Sequence, residues 1–216
     1  DAAGFLWLIP LHAPAVVRVD TRPGPTLGNM TAFDGFSGPV SGSELFKFIG
    51  GAIDDSGFLW MIPHRAAAAV RVDTRPGPTL GNMSAFDDFP ASAAAGATDK
   101  FWGGAIDATG FLWFVPGNAA VVVRVDTRPG PTLGNMTGFD RFPAPVSAGD
   151  RDKFVGGAID AWGFLWLVPT NAAAVVRVDT RPGPTLGKMT AFEGFPAPVN
   201  ANGLSKFYGG AIDAAG

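Results

Sequence analysis

The sequence contains no cysteine, which excludes disulfides, thiolate metal ligands and a thiol nucleophile together. Stability must come from packing and hydrogen bonding. Histidine is nearly absent, with only His12 and His64, and these stand at non-equivalent places in short turns. Neither a histidine metal cluster nor a Ser-His-Asp arrangement can be assembled from them. An excess of one charge is also lacking, since 16 Lys and Arg are interspersed with 19 Asp and Glu for a formal net charge of -3. A phosphate backbone requires a basic stripe, so no nucleic-acid partner is expected. Long apolar runs are missing too. The longest weakly polar stretch, Ala161 to Val176, includes Trp162, Pro169, Thr170 and Asn171, and no membrane span is expected. Helical periodicity is absent throughout.

What the 216 residues hold instead is a 47% hydrophobic content grouped into short runs between 30 Gly and 19 Pro. That grouping reads as strands separated by turns. Self-comparison shows a repeat of 53 residues without gaps. GFLW recurs at Gly4, Gly57, Gly110 and Gly163; RVDTRPGPTLG begins at Arg18, Arg71, Arg124 and Arg177; GGAID begins at Gly50, Gly103, Gly156 and Gly209. One unit parses into four strands, A to D, near Lys47 to Asp54, Phe58 to Ile62, Ala67 to Asp73 and Leu80 to Phe86. Asp54-Asp55-Ser56-Gly57, Pro63-His64-Arg65 and Arg75-Pro76-Gly77-Pro78 supply the reversals between them. The fold expected is an all-β propeller, one domain of four four-stranded blades over residues 1–53, 54–106, 107–159 and 160–212, with 213–216 repeating the start.

The segment GGAIDDSGFLWMIPHRAAAAVRVDT resembles the blades of gluconolactonase and streptogramin-lyase propellers, which run GG, D-x-x-G, L-W and V-x-R-V-D. The resemblance covers about half of each repeat and implies a fold, with strand A innermost and strand D outermost. It further implies, for the lyases, a catalytic histidine at the channel mouth and, for the lactonases, a channel metal held by acid and amide side chains. Neither set can be matched residue by residue here, so neither activity is carried over. The last strand A, Lys206 to Asp213, is placed to complete the first blade beside Phe5 to Pro10, which gives a closed four-blade ring; part of a larger ring is the alternative.

Several repeated residues invite a chemical reading. Asp54, Asp107, Asp160 and Asp213 end the four A strands and could form a ring of carboxylates holding a cation such as calcium at a channel mouth. The simpler expectation is that each accepts backbone N–H bonds in its own D-x-x-G turn. The pairs Arg18 and Asp20, Arg71 and Asp73, Arg124 and Asp126, and Arg177 and Asp179 share a strand face, which predicts an interblade ionic lattice. Replacing Arg71 is then expected to cost more stability than replacing the loop residue Arg75. Trp7, Trp60, Trp113 and Trp166 read as packing between sheets, whereas the single Trp162 stands in a turn where it could stack on a sugar. The paired glycines, such as Gly50-Gly51, read as close backbone approach and not as a phosphate loop.

Asn29, Asn82 and Asn135 each open an N-glycosylation sequon, and the fourth repeat carries Lys188 there, which points to an extracellular or cell-surface glycoprotein. No catalytic residue and no cofactor is assigned. The function expected is a non-enzymatic structural or protein-contact module, working through partners or self-assembly. A lectin-like carbohydrate binder, with pockets between blades or in variable segments such as Pro90 to Asp99, is the alternative. An enzyme at the channel mouth ranks third and would need Glu44, Arg65, Asp150 and Arg151 to converge.

Overall fold

The computed structural model describes residues 1–93 and 98–213. Among them, fifteen strands and one 3-10 turn (Ala91–Ala93) form one three-stranded and three four-stranded antiparallel sheets. The strands are β1 Phe5–Leu8, β2 Val16–Asp20, β3 Met30–Phe33, β4 Phe48–Ile53, β5 Phe58–Pro63, β6 Ala69–Asp73, β7 Met83–Phe86, β8 Phe101–Ile106, β9 Phe111–Pro116, β10 Val122–Asp126, β11 Met136–Phe139, β12 Phe154–Ile159, β13 Phe164–Pro169, β14 Val175–Asp179 and β15 Met189–Phe192. Each sheet follows chain order, as hairpins joined by short turns must. The chain divides into two compact units, Asp1–Asp88 and Phe89–Gly216, each holding two repeats.

Within a repeat the register is the same everywhere. In the second, Leu59 faces Val72 and Trp60 faces Arg71 across β5 and β6, while Arg71 faces Ser84 across β6 and β7. Strand D starts later than the apolar pattern suggests, at Met83 and not Leu80. The Pro-Gly-Pro loop closes on itself first: Leu80 N donates to Gly77 O and Asn82 N to Thr79 O.

The alternating faces of neighbouring sheets make the core. In the first unit, Trp7, Val16 and the partly buried Phe33 of one sheet meet Leu59, Met61, Val70 and Val72 of the next. The second unit repeats this arrangement, with Trp113, Val115, Val122 and Phe139 against Leu165, Leu167, Val176 and Val178. Each sheet therefore has a Trp face and a Leu-Val face, and packing runs Trp face onto Leu-Val face.

The paired glycines make close backbone approach possible. Gly103, at φ +119°, lies so near the backbone of Gly156 that a Cβ would stand 2.9 Å from its Cα.

The four-blade closure expected as one alternative is not formed. Lys206–Asp213 belongs to no strand, and the first sheet has three strands.

Candidate functional site

Three motifs recur in the repeat, two of them where strand A passes to B and C to D and the third at the start of strand A. The first is the D-x-x-G turn. Asp54 Oδ1 accepts from Ser56 N (2.9 Å) and Phe58 N (3.0 Å), and its Oδ2 accepts from Trp60 Nε1 (2.8 Å). Asp107 does the same for Thr109, Phe111 and Trp113, and Asp160 for Trp162, Phe164 and Trp166. Asp1 takes this role in the first repeat, with Trp7 Nε1 at 2.7 Å. Among the described residues no three His, Cys, Asp or Glu side chains cluster as a metal ion would require. Asp54, Asp107 and Asp160 thus accept N–H bonds within their own turns, as the simpler sequence reading expects, and each also holds a tryptophan; Asp213 lies outside any strand.

The second motif is the loop that follows strand C. Asp73 is buried, and Arg75 grips it with both prongs of its guanidinium, Nε to Oδ1 at 2.9 Å and Nη2 to Oδ2 at 2.6 Å. Thr79 Oγ1 donates to the same carboxylate at 2.8 Å. The same fork joins Arg22 to Asp20, Arg128 to Asp126 and Arg181 to Asp179. Arg75, Arg128 and Arg181 hold Asp73, Asp126 and Asp179 at about 2, chiefly through these hydrogen bonds, and Asp20 is lowered by Arg22 likewise. The sequence pairing of Arg71 with Asp73 is therefore corrected: the carboxylate goes to the loop arginine two residues later. Adjacent sidedness on a strand put Arg71 in range, but the turn back over the strand end delivers Arg75 in a planar two-bond geometry.

Arg71 does something else. Its guanidinium lies 3.3 Å from the centre of the Phe58 ring, and Arg75 stacks on the same ring at 4.1 Å. Arg124 and Arg128 flank Phe111 in the same way. Burial lowers the Arg71 and Arg124 pKa values, and the Nε of each finds no hydrogen-bond partner among the described residues. The Phe of GFLW is thus a shared platform for two arginines, a role that hydrophobicity patterns conceal.

The third motif was not singled out from the sequence, although its Lys-Phe signature recurs at the repeat spacing. Lys47, Lys100 and Lys153 are fully buried at the start of strand A. Lys153 Nζ donates to Ala148 O at 3.2 Å and Asp150 O at 2.8 Å, and Lys47 Nζ to Gly42 O and Glu44 O. These two ammonium groups tie down the preceding loop through its carbonyls. Burial pushes Lys153 down to about 8 and lowers Lys47 and Lys206 in the same sense. The folded state thus releases protons that the unfolded lysine, near 10.4, retains. Stability is accordingly expected to rise between pH 8 and about 10.5 and to level off above. Urea midpoints at pH 7.5 and 10 check this, and Lys153→Met should flatten the rise.

Single-copy features are few. Trp162 is 60% exposed and lines a cleft of about 570 Å³ with Asp160, Phe164, Trp166, Arg177 and Ile212. His12 and buried His64 both lie near Phe46, at 4.3 and 6.5 Å between ring centres, and Arg65 stacks on that ring. Glu44 and Asp150 cap equivalent turns by accepting from Ser41 N and Ser147 N. The sequon residues Asn29, Asn82 and Asn135 are exposed just before β3, β7 and β11, as is Lys188 before β15. Of the variable segment Pro90 to Asp99, residues 94–97 lie outside the described residues.

Tandem antiparallel sheets of three or four strands, packed face to face within each unit, define a β-propeller blade array. Solved structures carry the same fold. Virginiamycin B lyase from Staphylococcus aureus matches at TM-score 0.62 and 16% identity, over 92% of this chain and 54% of that one. A streptogramin B lyase structure matches at TM-score 0.63 and 15% identity, over 93% and 54%. An extracellular domain from B. thetaiotaomicron matches at TM-score 0.56 and 14% identity, over 90% of this chain and 23% of that one. The chain thus spans about half the length of the lyases it resembles in fold. No protein-family model matches it, and comparison with curated protein sequences finds no match. Among the described residues no helix is long and apolar enough to cross a membrane.

Proposed function

We propose that the protein is a non-enzymatic extracellular contact module that presents its Thr-Arg-Pro-Gly-Pro-Thr-Leu-Gly loops to a protein partner. The observation that carries this reading is the fork: in every repeat a loop with exposed Arg, Pro, Gly and Pro is anchored by the same two-bond grip on a buried aspartate. A loop held rigid before binding loses little entropy when a partner docks, and four equivalent loops add avidity. Asp54, Asp107 and Asp160 are engaged in their own turns, and Lys47 and Lys153 in ties to the preceding loop. Exposed sequons and the likeness of fold to an extracellular domain favour the extracellular side.

Capture of partners by the immobilised chain tests the proposal. Changing Pro-Gly-Pro to Ser-Gly-Ser in one loop is expected to weaken capture several-fold, and in all four to abolish it. A partner held equally well by the four-loop variant would overturn it. Carbohydrate binding has one observation in its favour, the exposed Trp162 in its cleft. Capture reversed by free saccharide and by Trp162→Ala, but indifferent to the loops, would establish that reading instead.

A further inference from the structure

The repeats are so nearly identical that their differences locate any property they do not share, and in the second unit two such differences meet in one place. At the seam of the third and fourth repeats a cleft of about 550 Å³ lies between the end of β11 and the loop that enters β15. Its floor is made by the partly buried Phe139 and Leu186 and the buried Met189, which are continuous with the core of that unit. Gly187, at φ +77°, lies against the Phe139 ring with no room for a side chain, so loop and strand are packed together before anything binds. Asp140, Arg141 and Lys188 line the cleft as exposed residues.

The first unit has the same seam between the first and second repeats. Gly81, at φ +83°, lies against Phe33 as Gly187 does against Phe139, and Leu80 and Met83 take the places of Leu186 and Met189. There, however, Gly35 stands at the position of Arg141 and Asn82 at that of Lys188, while Asp34 matches Asp140. Arg141 comes from the third repeat and Lys188 from the fourth, so duplication of one altered repeat does not account for both. Only the packing of their two sheets brings them to one cleft. Both are also unengaged: among the described residues no ion pair and no side-chain hydrogen bond involves Arg141, Lys188 or Asp140, whereas the loop arginine of every repeat is locked to its aspartate.

We propose that this cleft binds an acidic peptide segment of a protein partner, a carboxylate side chain flanked by an apolar one. Two cations beside one aspartate leave a net positive charge, which a single carboxylate matches through charge-assisted hydrogen bonds. Asp140 is then free to accept a peptide N–H, and the floor of Phe139, Leu186 and Met189 takes the apolar neighbour. A preformed apolar cleft with a few convergent polar groups is the usual form of a recognition site. The inference rests on the reading of the loops as contact surfaces, and it gives the fourth loop, to which Leu186 and Gly187 belong, a partner chemistry of its own.

Nuclear magnetic resonance of the isotope-labelled chain, expressed in bacteria and titrated with the blocked peptide Ala-Leu-Asp-Leu-Ala, tests it. The amide signals of Phe139 to Arg141 and Leu186 to Met189 are expected to move, and those of Phe33 to Gly35 and Leu80 to Met83 to stay. Asn in place of the peptide's Asp should weaken binding about ten-fold or more, as should Arg141→Gly with Lys188→Asn, which installs the residues of the first seam. Both positions are exposed and unpaired, so the variant should keep the wild-type spectrum elsewhere. The reverse exchange, Gly35→Arg with Asn82→Lys, should create binding at the first seam, since a side chain at Gly35 would begin in open space and Asn82 is exposed. Signals unmoved at millimolar peptide, or equal affinity for the Asp and Asn peptides or for wild type and the double variant, overturn the proposal. So does movement of the same signals by heparin fragments but by no acidic peptide, which would make the cleft a sulfated-saccharide site. Peptide bound here while the loops capture no partner would remove only the broader reading of the loops, and capture through the loops with the peptide unbound would remove only this one.

Discussion

Replacing Asp54 by Ala is expected to lower the stability of the first unit by about 3 kcal/mol, among the larger single effects at any exposed turn of this fold. Three donors converge on that carboxylate, and one of them, Trp60 Nε1, belongs to a fully buried ring. The two backbone amides sit at the turn and can regain water. The indole N–H cannot, and an unsatisfied buried donor costs about 1–3 kcal/mol by itself. Asn in place of Asp should not rescue fully, because its NH2 group would point a donor at the indole donor or surrender the amides. The decisive measurement is a double-mutant cycle with Trp60→Phe in urea unfolding. Once the indole N–H is gone, the cost of Asp54→Ala should shrink by about 1–2 kcal/mol. Additive costs would mean that the Asp-Trp bond contributes nothing beyond the turn.

The legibility of the fold came from repetition. GFLW, V-R-V-D and GGAID mark strands and turns four times over, and the fifteen strands among the described residues lie within a few residues of where these motifs put them. Strand D is the exception, since it begins only after a loop that holds Gly77 and Gly81 at positive φ and turns Leu80 N and Asn82 N onto Gly77 O and Thr79 O. The site was only half legible. Period-two reasoning states which side chains share a strand face, so it joined Arg71 to Asp73. It carries no information about a side chain that folds back from beyond the strand end, which is how Arg75 reaches the carboxylate. The role of Phe58 was hidden for a related reason: nothing in an apolar run announces that two guanidinium groups lie on one ring. The buried lysines were missed because Lys at a strand start usually marks a solvated edge. Only the loop carbonyls, which come together in three dimensions, make burial of Lys153 tolerable.

The corrected pairing reverses the order of mutational effects expected from the sequence. Arg71→Met is expected to change stability by less than about 1 kcal/mol, because Met keeps the contact with Phe58 and removes a desolvated guanidinium whose Nε has no partner among the described residues. Asp73→Ala should cost about 2–4 kcal/mol, since its buried carboxylate accepts from Arg75 N, Nε and Nη2 and from Thr79 Oγ1, and charged acceptors are the strong ones. Arg75→Met should fall between them, with the loop loosened but water free to reach the carboxylate. An acid titration gives an independent reading of the same fork. Asp73 is held at about 2 in the folded state and titrates near 3.9 when unfolded. The stability it contributes is therefore complete above about pH 4 and is lost as the pH falls through 2. In Asp73→Ala that share of the acid sensitivity disappears, while in Arg71→Met it remains. A denaturant series in which Arg71→Met proves the costlier change would restore the lattice of Arg71 with Asp73 and remove the fork as the anchor of the presented loops.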